Sequence, residues 1–189
     1  MDKTERIGFS VFGYQPSSFS DYPGKTAAVF FASGCNMRCS YCHNLKFMES
    51  ASALEEEKLA GCLEHATANR VSDAVVITGG EPTLQAEGLK KFIRALKRRS
   101  NKLIKLDTNG TNPETLRGIL DENLVDLAMV IIIHLPRVVH DVDVGNVANN
   151  LVFDDIVRRI QQSKRQQHHQ NLFFSRVVVV VVLYYSIEI

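Results

Sequence analysis

No window of about 18 residues in this chain is both apolar and free of charge, so no helix of it is expected to cross a bilayer. The run Val177 to Leu183 is apolar but far too short. An excess of charge is also missing: 22 basic residues face 21 acidic ones, for a net charge of +1. Such a balance gives no electrostatic reason to expect nucleic acid or a membrane as partner. The first residues contain no apolar export segment. Cysteine is scarce, and three of the four thiols fall in one short stretch, which excludes a disulfide framework and points to a reducing cytoplasm. What remains is a chain of 189 residues with 45% hydrophobic content, enough for one domain with a real core.

The informative stretch is Cys35-Asn36-Met37-Arg38-Cys39-Ser40-Tyr41-Cys42, followed at once by His43-Asn44. Soft thiolates this close together suit an iron–sulfur centre. A four-iron cluster held by three cysteines keeps one iron without a protein donor, and that iron is free to take a small chelating molecule. Three other readings compete. Cys39 to His43 is also the CxxCH pattern of covalent haem attachment, a chemistry usually found outside the cytoplasm. Structural zinc on Cys35, Cys39, Cys42 and His43 gives four donors, but ligands on adjacent residues close poorly on one ion. A thioredoxin-type CxxC leaves Cys35 unexplained.

Along the chain, residues 1–24 read as an irregular or hairpin lead-in, rich in Gly, Ser, Phe and Pro, with a turn at Pro23-Gly24. Thr26 to Ser33 is a short apolar β-rich run of the kind buried on both faces of a parallel sheet, and the cysteine loop sits at its carboxyl end, where ligands bind in open α/β sheets and barrels. Ser52 and Glu55 have capping-box form, with Leu54, Lys58, Leu59, Cys62, Leu63 and Ala66 recurring at helical spacing. Cys62 thus reads as a small core residue, not a fourth ligand. Asp73 to Thr78 is a second buried strand, running into Gly79-Gly80-Glu81-Pro82, where two glycines let the backbone approach a ligand and a proline stiffens the exit.

Leu89, Phe92, Ile93 and Leu96 mark the apolar face of the next helix, and Lys90, Lys91, Arg94, Lys97, Arg98 and Arg99 its solvated one. Lys102 to Asp107 is a third strand, ending in Thr108-Asn109-Gly110, which by itself is an ordinary Asn-Gly turn. Asn112-Pro113-Glu114 opens a helix with an N-cap, a proline in the first turn and an early acid. Leu124 to Ile133 is a fourth strand. Leu151 to Gln167 has helical periodicity, Gln166 to Gln170 is a polar linker whose His168-His169 pair is weak evidence for a metal, and Phe173 to Tyr185 is a fifth strand with six valines in succession. Such a run is an aggregation hazard where its edge is open. Alternating strands and helices of this length imply right-handed βα units and a parallel sheet.

The CxxxCxxC spacing with Tyr41 just before the last cysteine resembles the signature of radical S-adenosylmethionine (SAM) enzymes. Asp21-Tyr22-Pro23-Gly24-Lys25, Tyr41-Cys42-His43-Asn44 and Gly79-Gly80-Glu81-Pro82 narrow the resemblance to activating enzymes of glycyl-radical enzymes, in particular those of anaerobic ribonucleotide reductase. It is dense from Ser18 to Met129 and thin beyond. It implies a partial, open (β/α) barrel with parallel strands, a 4Fe-4S cluster on Cys35, Cys39 and Cys42, and SAM chelating the open iron. It further implies SAM contacts from the backbone of Gly79, Gly80 and Glu81, from the Asp107-Thr108-Asn109 tip and beside Tyr41. The implied reaction is reductive cleavage of SAM to a 5′-deoxyadenosyl radical that abstracts hydrogen from a glycine of a partner enzyme, with flavodoxin or ferredoxin as electron donor. No catalytic acid or base is nominated, and hydrogen-atom transfer needs none. On this reading, valine at Gly79 or Gly80 weakens SAM binding and spares the cluster.

The chain departs from that pattern after Ala128-Met129. Relatives continue Asp-Ile-Lys; here Val130-Ile131-Ile132-Ile133 follows, so no role carries over and weakened SAM binding is expected. His134 and His140 lie just beyond and read as polar surface. Arg176 matches an arginine at the start of the family's fifth strand. Residues 130–189 are expected to be diverged or truncated. Two other classes share the cysteines: a radical SAM enzyme acting on a small molecule, which needs a closed pocket and not an open cleft, and a non-catalytic iron–sulfur or zinc protein, which gains nothing from the glycine turn.

Overall fold

The computed structural model describes residues 7–39, 42, 44, 53–134 and 176–183, with 131–134 and 176–183 described by their backbone alone. The lead-in is more regular than its composition suggests. β1 (Val11–Tyr22) pairs antiparallel with β2 (Lys25–Ala32) across the Pro23-Gly24 turn. Pro16 is tolerated because it falls where the register slips between Gln15 and Ser18, a bulge on the edge strand, where no ladder donor is needed. β3 (Ala74–Gly79), β4 (Leu103–Thr108), β5 (Leu127–His134) and β6 (Arg176–Leu183) then add in parallel, each beside its predecessor. The order is β1-β2-β3-β4-β5-β6. Among the described residues its ends do not meet, so this is a partial α/β barrel with five parallel strands. The expected strands are all present, with ends displaced by one to three residues.

Between strands lie α1 (Glu56–Ala68), α2 (Ala86–Arg99), preceded by a 3-10 turn at Pro82–Gln85, and α3 (Pro113–Asp121). All three pack on one face. Side chains alternate across a strand, so Ala28, Phe30, Val75, Ile77, Ile104, Leu106, Ala128 and Val130 turn to the helices and join Leu63, Phe92, Ile93 and Ile119 in one buried core. Phe92 stands edge-on to Phe30 at 5.0 Å between centroids. The other face carries Ala27, Val29, Ala74 and Val76, with Tyr22, Phe31 and Leu103 against them, and no described helix contributes to it.

Several local expectations change. α1 starts at Glu56 with Glu55 as N-cap and no side-chain capping bond; Ser52 lies outside the described residues. Leu54 therefore precedes the helix, where its N–H donates to the Val11 carbonyl at 2.7 Å and ties the incoming chain to β1. Asn112 does not cap α3 with its side chain, because its amide donates to Thr83 Oγ1 at 3.0 Å. Cys62 is partly buried against the core, as a packing residue should be. The basic face of α2 is solvated as expected, exposed at every position but Lys90, with Lys90 and Arg94 pairing with Glu122 and Lys97 donating to the Asn123 carbonyl. The 151–167 helix, the 166–170 linker with its histidines, and His140 lie outside the described residues. No described helix is long and apolar enough to cross a membrane.

Candidate active site

The carboxyl ends of β2, β3 and β4 stand side by side, and the backbone alone joins the first two. Gly80 N–H donates to the Ala32 carbonyl at 2.9 Å and Glu81 N–H to the Gly34 carbonyl at 2.8 Å, one residue before Cys35. This approach explains the glycines. Gly79 sits at φ +105°, where a Cβ would lie 2.6 Å from Ala32 N, and a Cβ on Gly80 would lie 1.9 Å from Gly34 O. Both contacts are with backbone of the cysteine loop's own stem. The expectation that a side chain here spares the cluster therefore changes, since whatever displaces this turn displaces that loop.

Glu81 is fully buried. Its carboxylate accepts from Thr83 N at 3.0 Å, Thr108 Oγ1 at 2.7 Å, Asn109 N at 2.6 Å and the Thr83 hydroxyl. Those donors take up its lone pairs, so the side chain binds the β3 turn to the β4 tip. Sequence reasoning missed Thr83, because a threonine in a turn carries no pattern of its own.

Cys35, Cys39 and Cys42 are free and partly exposed, with Cys42 N–H closing a turn onto the Cys39 carbonyl at 3.0 Å. Burial pushes the Cys35 thiol up; the Met37 N–H, 3.4 Å from Sγ, pulls it down, while Glu81 and the other two thiols push it further up. That mutual influence places the three sulfurs in one electrostatic neighbourhood. Among the described residues no three His, Cys, Asp or Glu side chains converge closely enough to hold a metal ion, so the thiols share a loop without meeting at a point. As a donor set, three soft sulfurs on one loop fit an iron–sulfur cluster. His43 and Tyr41 lie outside the described residues.

At the β4 tip, Asp107 falls on the face without described helices and Thr108 on the core side. Asp107 Oδ1 lies 2.8 Å from Lys105 Nζ, an ion pair whose geometry is not that of a hydrogen bond. Lys105 is itself buried and donates to the Asp21 carbonyl at 2.7 Å, bringing the Asp21-Tyr22-Pro23-Gly24 hairpin to the same place. Desolvation raises the Asp107 pKa, against the opposing pull of Lys105 and Thr78. Asn109 turns the other way, toward the cysteine loop, with its amide 4.0 Å from Cys35 Sγ. Val130 lies in the helix-side core, packed among aliphatic side chains.

The description "Radical SAM superfamily" matches residues 29–172, most of the chain, and the chain belongs to that superfamily, whose members use a 4Fe-4S cluster and SAM. A Methanocaldococcus jannaschii protein provisionally named a glycyl-radical enzyme activating enzyme is 40% identical over 121 residues, covering 64% of this chain and 48% of that protein. The pyruvate formate-lyase 1-activating enzyme of Escherichia coli K12 is 32% identical over 104 residues, 53% of this chain and 42% of the enzyme. The 7-carboxy-7-deazaguanine synthase of Rhodospirillum rubrum is 34% identical over 90 residues, 48% of this chain and 36% of the synthase. The chain thus spans about half or less of the length of these relatives.

Proposed function

We propose that this chain is an activating enzyme of the glycyl-radical type, acting in the cytoplasm on a partner such as anaerobic ribonucleotide reductase, with flavodoxin or ferredoxin as electron donor. The observation that carries the reading is the joining of the three-cysteine loop to the Gly79-Gly80-Glu81 turn by paired backbone hydrogen bonds, which sets a thiol donor set and a glycine-lined backbone side by side at the strand ends. Two relatives named as activating enzymes support it.

When bound, the reduced cluster and SAM supply a 5′-deoxyadenosyl radical able to take a hydrogen atom from a glycine Cα. The chain's own residues position and shield. Cys35, Cys39 and Cys42 hold the cluster; the backbone of Gly79, Gly80 and Glu81 and the tip at Asp107, Thr108 and Asn109 face SAM, with Tyr41 beside the last cysteine. Among the described residues the strand order does not close on itself, and a protein loop would enter on that side.

A second reading, a radical SAM enzyme acting on a small molecule, is favoured by the similarity to a 7-carboxy-7-deazaguanine synthase. Anaerobic iron–sulfide reconstitution, reduction and SAM addition separate the two when done with and without a glycyl-radical enzyme. An activator yields 5′-deoxyadenosine together with a glycyl-radical signal on the partner. Cys→Ala at 35, 39 or 42 abolishes iron uptake and Cys62→Ala leaves it intact. Stoichiometric zinc with no iron uptake overturns both readings.

A further inference from the structure

Asn36, the residue after the first cysteine, is joined to the β4 tip by a closed ring of side-chain hydrogen bonds. Asn109 Nδ2 donates to Asn36 Oδ1 at 2.9 Å, Asn36 Nδ2 donates to Thr111 Oγ1 at 2.8 Å, and Thr111 Oγ1 donates to Asn109 Oδ1 at 2.7 Å. Each group donates once and accepts once around the circle. The ring fixes the orientation of its amides: turning Asn36 over would set its NH2 against that of Asn109, two donors with nothing to accept. Bonds in such circuits polarise one another in the same sense.

Two of the three links cross 73 and 75 positions of sequence, so the ring is no local turn. It is anchored from behind, since Asn109 N–H donates to buried Glu81 and Asn112 Nδ2 reaches Thr111 Oγ1 at 3.3 Å. With one amide hydrogen committed to Asn36, the second hydrogen of Asn109 Nδ2 is left for Cys35 Sγ, 4.0 Å away. Met37 N–H, at 3.4 Å, is the other donor to that sulfur.

We propose that Asn36 and Thr111 are positioning residues: their ring with Asn109 clasps the cysteine loop onto the β4 tip and aims the Asn109 amide at the Cys35 sulfur, tuning the cluster through that ligand. The proposal rests on the assignment of Cys35 as a cluster ligand. It gives Asn109 a role toward the cluster in addition to any toward SAM. Hydrogen bonds to cluster sulfurs stabilise the reduced, more negative state, so their loss lowers the reduction potential. In the chain without metal, loss of the clasp frees the loop and exposes a half-buried thiol.

The test uses Thr111→Val, which removes the ring's hydroxyl at nearly constant volume, Thr111→Ser, which restores it, and Asn36→Ala. In the metal-free chain, Cys35 alkylation by a maleimide is followed by peptide mass spectrometry. In the reconstituted protein, the cluster's midpoint potential and electron paramagnetic resonance spectrum are recorded. Thr111→Val and Asn36→Ala are expected to speed Cys35 alkylation several-fold, leave Cys62 alkylation unchanged and shift the midpoint potential negative, with Thr111→Ser at parent values in each. Unchanged Cys35 alkylation and unchanged potential in both disrupting variants overturn the clasp. Should the parent take up no iron, the functional reading falls, while the alkylation rates still decide whether the clasp holds the loop.

Discussion

The two faces of the sheet obey different rules. Toward the helices, β2 to β5 present an apolar surface, Phe30, Ile77, Leu106 and Val130 among it, interrupted at the rim by Thr108 and by Glu81, a fully buried carboxylate with four donors. Toward the other face, β4 places Lys105 and Asp107 in succession, both largely buried, paired with each other and with the Asp21 carbonyl. Charge is admitted where partners are supplied: Lys105 and Asp107 answer each other along one strand, and the Asp21 carbonyl from a distant segment accepts from Lys105. What a polar substitution does on these strands is therefore decided by parity, and the same change has opposite meaning one residue apart.

The sharpest way to break that contrast is Val130→Asp. It puts the relatives' carboxylate back in sequence, yet Val130 is 3% exposed among helix-side side chains. The expected loss is about 3–5 kcal/mol, the cost of an uncompensated buried charge, out of a total usually between 5 and 15. Urea unfolding should show a largely unfolded or barely folded chain; a stable protein with improved SAM affinity would mean β5 presents this position to the cofactor after all.

Gly80→Ala comes next. A Cβ placed 1.9 Å from a backbone oxygen forces the β3 turn and the cysteine stem apart, at about 1–3 kcal/mol for overpacking. Iron bound after reconstitution should fall together with the melting temperature, which distinguishes this joint from a turn that contacts only SAM.

Asp107→Asn is a milder probe, of the second face. Because burial raises the Asp107 pKa in the folded chain, this carboxyl contributes most to stability when protonated. That contribution is full below the unfolded value near 3.8 and is lost as pH rises through the raised folded one. The amide removes the titration. Urea midpoints should be higher than the parent's at pH 7 and converge with them in acid.

Glu122→Gln is expected to do least. Lys90 and Arg94 hold this carboxyl below the ordinary range, but the site is open to water, where such pairs are screened. The melting temperature should barely move, and any change should vanish at high salt.

Much of this was legible in the chain. The β-rich runs, the helical stripe of Leu89, Phe92, Ile93 and Leu96, and the thiol spacing all follow from short-range pattern, which the backbone translates directly into strand, helix and loop. What stayed hidden depends on segments meeting across the sheet. Glycines at 79 and 80 signalled a close approach, but not that the approaching group is the cysteine stem. Nothing in the sequence singled out Asn36 and Thr111, whose bonds to each other and to Asn109 across the site span more than seventy positions. The strand Lys102 to Asp107 carried no sign that Lys105 would be buried against Asp107 and the Asp21 carbonyl. Of the two readings of the lead-in, irregular or hairpin, the structure has the hairpin, whose bulges interrupt the alternation that marks a strand.

Strand order and chain order coincide from β1 to β6, and this has a consequence for synthesis. Each strand leaving the ribosome has its partner already in place, the hairpin first and every later βα unit against the last, so loop-closure entropy stays small at each step. No strand must wait for one not yet made. The nascent sheet therefore always has one growing edge, which advances with translation and is protected only when the next strand arrives. The valine run of β6 follows β1 to β5 in the chain, so its strongly self-pairing backbone emerges when five strands stand ready to receive it.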